Sequence, residues 1–156
     1  MPLRVPAPQS SSLRVPSELG AVSAARREVV AIVRDWDVPL AQETVETLEL
    51  LAGEVIANAV VHTAKGCRVT VCWDGTRVRL EAEDEEAGPL PGGRSADGED
   101  ESGRGLRLVD SLALAWGCHP TVGGKAVWFE VGGRLSSEPR PHGAPRRPVI
   151  DHLTPG

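Results

Sequence analysis

The stretch from Leu48 to Thr63, LELLAGEVIANAVVHT, constrains the fold of this chain more than any other. It contains no proline, consists largely of strong helix formers and has one tolerated glycine, Gly53. At about 100° per residue, its apolar side chains cover most of the circumference, which is typical of a buried helix. Glu54 and Asn58 nevertheless lie four residues apart on one face. Because buried polar groups need partners, this pair is either satisfied inside the core, for example by water, or faces a polar pocket that binds a ligand.

The size and charge of the chain limit the classes of function open to it. A length of 156 residues suits a single domain with a real core. The net charge is −5, and the aromatic residues are four Trp, one Phe and no Tyr, so a surface for phosphate backbones or stacked bases is poorly supplied. Direct binding of nucleic acid is therefore not expected.

The cysteines and the hydropathy pattern bear on the cellular compartment. Cys67, Cys72 and Cys118 are odd in number and lack metal-ligand spacing, so we expect small apolar side chains in a reducing cytoplasm rather than a redox or zinc site. The chain shows neither a signal-peptide pattern nor an apolar run long enough to span a membrane. A cytoplasmic location is the expectation.

Before the central helix, the pattern predicts a flexible N-terminus over residues 1–10 and a short strand over 11–15. A helix follows over residues 17–36, with Ser17 as its N-cap and apolar residues at helical spacing. Pro39 ends that segment, and a second helix begins at about Ala41 and continues into the central stretch.

A β-hairpin follows the central helix. Residues 67–73 and 76–84 alternate in hydropathy, and Asp74-Gly75 between them is a strong signal for a tight turn. Since side chains alternate across a strand, Asp84 faces the same side as the apolar residues Val78, Leu80 and Ala82. Among the acids of this region it alone points toward the core, and its neighbours belong to a solvated face and loop.

A loop is predicted over residues 85–102, which are rich in Gly, Pro, Ser and acids; a loop of this length is usually a lid, a binding loop or disordered. Gly103-Arg104-Gly105 then opens a third helix, whose apolar pattern extends to Trp116. The free N–H groups and positive dipole end of such a helix suit phosphate, although packing or turn glycines explain the pattern equally well.

The C-terminal part of the chain predicts a second hairpin. A strand over residues 117–122, a turn at Gly123-Gly124 and a last strand over 125–131 are expected, with Val127, Phe129 and Val131 facing inward. Residues 132–156 predict a disordered tail. The folded domain is thus expected over residues 11–131.

Four of these features, taken in order, resemble the Bergerat-fold ATPases, the superfamily of gyrase, histidine kinases and anti-sigma factor kinases. Residues 54–63, EVIANAVVHT, look like the first conserved box, and Asp84 matches the adenine-recognising aspartate of the next. GRGLRLVDSLA from Gly103 resembles the later glycine box, and GGKAVWFEV resembles the closing strand. The resemblance covers residues 12–131 and is closest to the stand-alone anti-sigma factor serine kinases.

The resemblance implies an α+β two-layer sandwich, with a mixed, mainly antiparallel sheet and about three helices on one face. It implies ATP and Mg²⁺ as cofactors, with Glu54 as the catalytic base and Asn58 as the metal ligand. The nucleotide would further contact Asp84, Gly88, the three residues Gly103, Arg104 and Gly105, and Lys125.

Two positions depart from the pattern of these proteins. Glu86 stands where a glycine often follows the aspartate, and the first glycine is Gly88. Lys125 stands where the closing strand often has threonine, so it either brings an ammonium group to the phosphates or is a surface lysine.

The resemblance implies a Mg-ATP-dependent protein kinase that phosphorylates a serine or threonine of an anti-anti-sigma antagonist and sequesters a sigma factor. Related proteins suggest a homodimer. The alternatives are a binding module in which ATP only switches the choice of partner, and a small domain that binds no nucleotide.

Overall fold

The computed structural model describes residues 7–61, 63–84, 101–132 and 149–150, of which residues 101–105 and 149–150 are described by their backbone alone. Within these ranges the chain forms three helices and six strands. In chain order they are β1 (Gln9–Val15), α1 (Leu19–Trp36), α2 (Gln42–Val61), β2 (Cys67–Trp73), β3 (Arg77–Asp84), α3 (Glu101–Leu112), β4 (Ala115–Pro120), β5 (Lys125–Gly132) and β6 (Val149–Ile150).

One open sheet contains all of these strands, in the order β1-β2-β3-β5-β4-β6. The first five pair antiparallel with their neighbours, and the two-residue β6 pairs parallel with β4. Both predicted hairpins are present. In the first turn, Asp74 Oδ1 accepts hydrogen bonds from the backbone N–H groups of Thr76 and Arg77, both at 2.8 Å. In the second, Thr121 N–H donates to the carbonyl of Gly124 at 2.9 Å.

The core lies between the helices and one face of this sheet. Alternating residues of β2, β3 and β5 are buried on that face, as the period-2 pattern predicted: Val69, Val71, Trp73, Val78, Leu80, Ala82, Val127, Phe129 and Val131. The expected α+β sandwich with a mainly antiparallel sheet is confirmed.

Helix α2 is the centre of the helical layer, since it packs against α1, α3 and the strands β2, β3 and β5. Leu48, Leu51 and Ile56 are completely buried. The burial predicted from its apolar circumference is not uniform, because Leu50 is 42% exposed and Val61 is 61% exposed. Each end of the apolar stretch therefore reaches the protein surface on one side.

Ser17 is not the N-cap of α1, contrary to the sequence prediction. The cap position is Glu18, whose side chain makes no capping hydrogen bond. Ser17 instead donates its hydroxyl to the carbonyl of Thr63 at 2.6 Å, just after α2. Carbonyl groups near a helix C-terminus lack partners inside the helix, so this bond joins the start of α1 to the end of α2.

The third helix begins and ends earlier than predicted. It starts at Glu101, so Gly103-Arg104-Gly105 lies inside the helix rather than ahead of it, and the predicted loop overlaps the helix at residues 101 and 102. It ends at Leu112, and Trp116 belongs to β4, where its indole N–H donates to Asp110 Oδ1 at 2.8 Å. Trp116 and Cys118 are both buried and lie two residues apart in β4. Trp116 also continues the helical spacing of the apolar residues of α3, which is why the sequence placed it in that helix.

Three ordered segments lie where loose chain was predicted. Gln9 and Ser10 belong to β1, and Gly132 ends β5. Val149 and Ile150 form β6 beside Gly117 and Cys118, so this part of the predicted tail is a strand. The rest of the predicted tail and the core of the predicted loop, residues 85–100, lie outside the described residues.

Candidate functional site

The predicted site residues gather toward one end of the sheet. The chain leaves α2 at Val61 and enters β2 at Cys67, which pairs directly with Asp84, the last residue of β3. Asp84 pairs in turn with Lys125, the first residue of β5. Because α2 ends at Val61 and β2 begins only six residues later, the C-terminal end of α2 lies near the end of the sheet that carries these residues.

Asn58 is a buried amide on the last full turns of α2. It is 8% exposed, and within the described part of the chain its amide nitrogen Nδ2 has no hydrogen-bond partner. Leaving such a group unpaired costs about 1–3 kcal/mol, so an external ligand would relieve a real penalty here. Glu54, one turn earlier, is half-buried and lies on the same side of the helix.

Asp84 and Lys125 form a buried ion pair. The ammonium Nζ of Lys125 lies 3.2 Å from Oδ2 of Asp84, and the two side chains are 8% and 4% exposed. Lys125 is therefore not a surface lysine, which removes one of the two alternatives that the sequence left open. Such a pair is stable only when both charges are present, because removing one leaves the other buried and uncompensated.

Cys67, which pairs with Asp84, lies in a solvent-excluded part of the sheet. Its side chain is fully buried, and burial together with the nearby Asp84 carboxylate raises the pKa of the thiol to about 11. At neutral pH the thiol is therefore neutral and unreactive. Cys67, Cys72 and Cys118 form no disulfide.

The glycine residues predicted to hold phosphate are only partly placed. Gly103 lies in the first turn of α3, where backbone N–H groups lack partners inside the helix, whereas Gly105 lies in the second turn. The backbone of Arg104 lies between them. Gly88 lies outside the described residues.

The structure joins some of these residues directly and others only through the helix. Asp84 and Lys125 are in contact, and Glu54 and Asn58 share a face of α2. The site residues thus form two sets, one on α2 and one at the end of the sheet. Both sets belong to elements that pack on each other, so a ligand placed between α2 and the end of the sheet could contact both.

Sequence reasoning missed the ion pair and one further basic residue. Lys125 has the parity of Val127, so the alternation of β5 already pointed its side chain toward the core. Arg26 of α1 lies across Gly53 of α2, where a Cβ atom would come within 3.2 Å of the arginine Cδ. Its Nε is buried and has no hydrogen-bond partner among the residues that the structure describes. Nothing in the sequence marked Arg26, because helical spacing gives no information on which polar side chain crosses the neighbouring helix.

Comparison with known protein families decides the assignment. The model of the histidine kinase-like ATPase domain matches residues 15–130, from the last residue of β1 to Glu130 in β5. The chain belongs to this family. No curated protein matched the chain in a sequence comparison.

As a histidine kinase-like ATPase domain, the chain belongs to a family that binds ATP, usually with Mg²⁺. The residues present fit that ligand, because Asn58 is a buried amide whose nitrogen lacks a partner and whose oxygen is of the kind that Mg²⁺ prefers. The described residues contain no cluster of three His, Cys, Asp or Glu side chains suited to a metal ion, so a cation here would depend on Asn58 and on oxygens from the nucleotide. None of the described helices is long and apolar enough to cross a membrane.

Proposed function

We propose that this protein is a Mg-ATP-dependent serine/threonine protein kinase of the anti-sigma factor type. Its substrate is a serine or threonine of an anti-anti-sigma antagonist, and in the absence of that antagonist it sequesters a sigma factor. The proposal places it in the cytoplasm and expects a homodimer. ATP, when bound, supplies the γ-phosphoryl group and shares the Mg²⁺ ion.

The residues of α2 carry the chemistry in this proposal. Asn58 holds Mg²⁺ through its amide oxygen, and Glu54 accepts the proton of the acceptor hydroxyl as it attacks. Asp84 accepts a hydrogen bond from the adenine base of ATP, and the N-terminal turn of α3 offers backbone N–H groups to phosphate. Phosphoryl transfer depends mainly on positioning and charge stabilisation, so few groups need to take part directly.

The observation that supports the proposal best is the pairing of Glu54 and Asn58 on one face of α2. Asn58 is 8% exposed with an unpartnered amide nitrogen, whereas Glu54, one turn away, is half-buried and open to an acceptor. Transfer to an external hydroxyl requires a metal ligand held in place and, beside it, a general base that the substrate can reach. Asn58 and Glu54 fit these two requirements.

The test is transfer of radiolabelled γ-phosphate to a panel of anti-anti-sigma proteins from the same genome, with the modified residue identified by mass spectrometry. We expect phosphorylation of one serine or threonine that depends on Mg²⁺. Glu54→Gln should reduce the transfer rate by at least about a hundredfold while ATP affinity changes little, because the base acts in the transition state.

Glu49→Gln is the matched control, since it makes the same change on the same helix, at a half-buried position outside the site. It should transfer at the wild-type rate. Unchanged transfer in Glu54→Gln would reject this residue as the base. Tight ATP binding with no transfer to any antagonist would instead favour the binding module in which nucleotide only switches partner binding.

A further inference from the structure

The function proposed above uses Asp84 but gives no role to Lys125, with which Asp84 forms a buried ion pair. The two residues face each other across β3 and β5, their side chains are more than nine-tenths buried, and Nζ lies 3.2 Å from Oδ2. Burying two charges costs several kcal/mol per ion, so a pair in this place asks for an explanation. Packing alone would be served as well by two apolar residues.

The position of Lys125 argues against a contact with phosphate. Its charge is compensated by Asp84 at 3.2 Å, so the pair as a whole attracts a triphosphate far less than a lone ammonium would. The ammonium group nevertheless has three N–H donors, and the Asp84 carboxylate is its one ion-pair partner among the described residues. Donor capacity therefore remains for a neutral acceptor.

A nucleobase edge is a neutral group that matches such a pair. The six-membered ring of adenine carries a donor, the 6-amino group, directly beside an acceptor, the ring nitrogen N1. A carboxylate and an ammonium at hydrogen-bonding distance present the complementary acceptor and donor side by side. A nucleobase that meets both at once adds one hydrogen bond to each charged group and does not require the ion pair to separate.

Burial selects N1 over N7 as the acceptor. Both nitrogens flank the 6-amino group, but N1 lies on the side of the ring system remote from the ribose. If the phosphates of the nucleotide lie toward α3 and solvent, the edge of adenine that carries N1 lies deepest in the site. The remote edge is the one that reaches residues as deeply buried as Asp84 and Lys125.

We propose that Lys125 recognises the base, donating a hydrogen bond to N1 of adenine while Asp84 accepts one from the 6-amino group. This inference rests on the proposed nucleotide site and extends it, because it assigns the lysine to base selection and not to phosphate binding. Hydrogen bonds that involve a charged group are among the stronger ones, so the contribution to affinity is measurable.

The experiment compares ATP analogues by isothermal titration calorimetry on the unmodified protein. We expect 1-deaza-ATP, which lacks N1, to bind at least about tenfold more weakly than ATP. 7-Deaza-ATP, which retains N1, should bind within about twofold of ATP. Because only the ligand changes, this comparison does not depend on any variant that might misfold. Equal affinity for ATP and 1-deaza-ATP, or a loss confined to 7-deaza-ATP, would overturn the proposal.

A variant then tests whether the lysine is the donor. Lys125→Met keeps the length of the side chain and removes the N–H donors, so ATP should weaken about tenfold and the difference between ATP and 1-deaza-ATP should disappear. Lys65→Met is the matched control, since Lys65 is exposed, and it should keep the full difference.

The remaining outcomes are equally decisive. If Lys125→Met weakens the affinity for ATP but not for adenosine, the lysine contacts the phosphates. If the variant binds ATP more tightly, the ion pair competes with the nucleobase. Either result overturns base recognition while leaving the nucleotide site in place. If the unmodified protein binds neither ATP nor any analogue, the proposed function itself fails.

Discussion

Cys67 lies directly opposite Asp84 in the pairing of β2 with β3, and the two residues are 0% and 3% exposed. Burial is the main cause that raises the pKa of this thiol to about 11, and the Asp84 carboxylate adds to it. The folded chain therefore binds the thiol proton more tightly than the unfolded chain, in which the pKa is about 9.

The consequence is a loss of stability at alkaline pH. Below about pH 9 the thiol is protonated in both states, but between about pH 9 and 11 the unfolded chain releases its proton first, so the free energy of unfolding falls by roughly 2–3 kcal/mol. Urea unfolding at pH 7.5, 9 and 10.5 measures this slope. The chain has no tyrosine, which removes one competing titration from that range.

Cys67→Ala should flatten the alkaline part of that profile, whereas Cys72→Ala, at a half-buried position on the same strand, should leave it unchanged. An identical slope in the wild type and in Cys67→Ala would show that the thiol is not the group responsible.

Gly66 fixes the connection between α2 and β2. Its φ is 82°, and a Cβ atom there would lie 2.4 Å from the carbonyl oxygen of Val15 and 3.2 Å from Cα of Pro16. Gly66→Ala should therefore lower the free energy of unfolding by at least about 2 kcal/mol, through backbone strain and the displacement of β1. The measurement is urea unfolding at neutral pH.

Gly123→Ala provides the comparison, since nothing lies within 4 Å of a Cβ built at that turn. We expect a change of no more than about 0.5 kcal/mol. Equal losses in the two variants would mean that the close approach to Val15 does not govern the cost.

Replacing Asn58 by an apolar residue should abolish ATP binding without lowering the stability of the fold. Its amide nitrogen is buried without a partner among the described groups, so Asn58→Leu, which replaces the amide by apolar atoms of similar volume, should leave the free energy of unfolding unchanged or raise it by about 1 kcal/mol. The same variant should lose Mg-dependent ATP binding, because it removes the oxygen that serves the cation.

Asn58→Asp retains an oxygen ligand and should keep part of the Mg-dependent binding. Thermal or urea unfolding, paired with titration of ATP in the presence and absence of Mg²⁺, checks both effects. A large loss of stability in Asn58→Leu would show that the amide is satisfied within the fold and is not held for a ligand.

The parts of the fold that the sequence predicted are those governed by local periodicity. Alternation in β3 was enough to turn Asp84 inward among Val78, Leu80 and Ala82, and the residue is 3% exposed. Glycine signals located both hairpin turns. The helix that carries Glu54 and Asn58 was predicted because the stretch is long, free of proline and rich in apolar helix formers.

What the sequence could not supply are relationships between distant elements. Ser17 has the residue type of an N-cap, but an unsatisfied carbonyl at Thr63, forty-six residues away, takes its hydroxyl instead. Lys125 was assigned to phosphate or to the surface, because nothing local shows that Asp84 lies opposite it in the sheet. The start of α3 was misplaced because glycine suggested a boundary where the structure has helix.

The central claim is that Asn58 and Asp84 serve one nucleotide, and isothermal titration calorimetry with ATP tests it most directly. We expect micromolar affinity that requires Mg²⁺, that is lost in Asp84→Asn and that survives in Glu83→Gln, the same change at the adjacent residue on the opposite face of β3. The absence of any heat of binding with ATP, both with and without Mg²⁺, or equal binding by the two variants, would contradict the account.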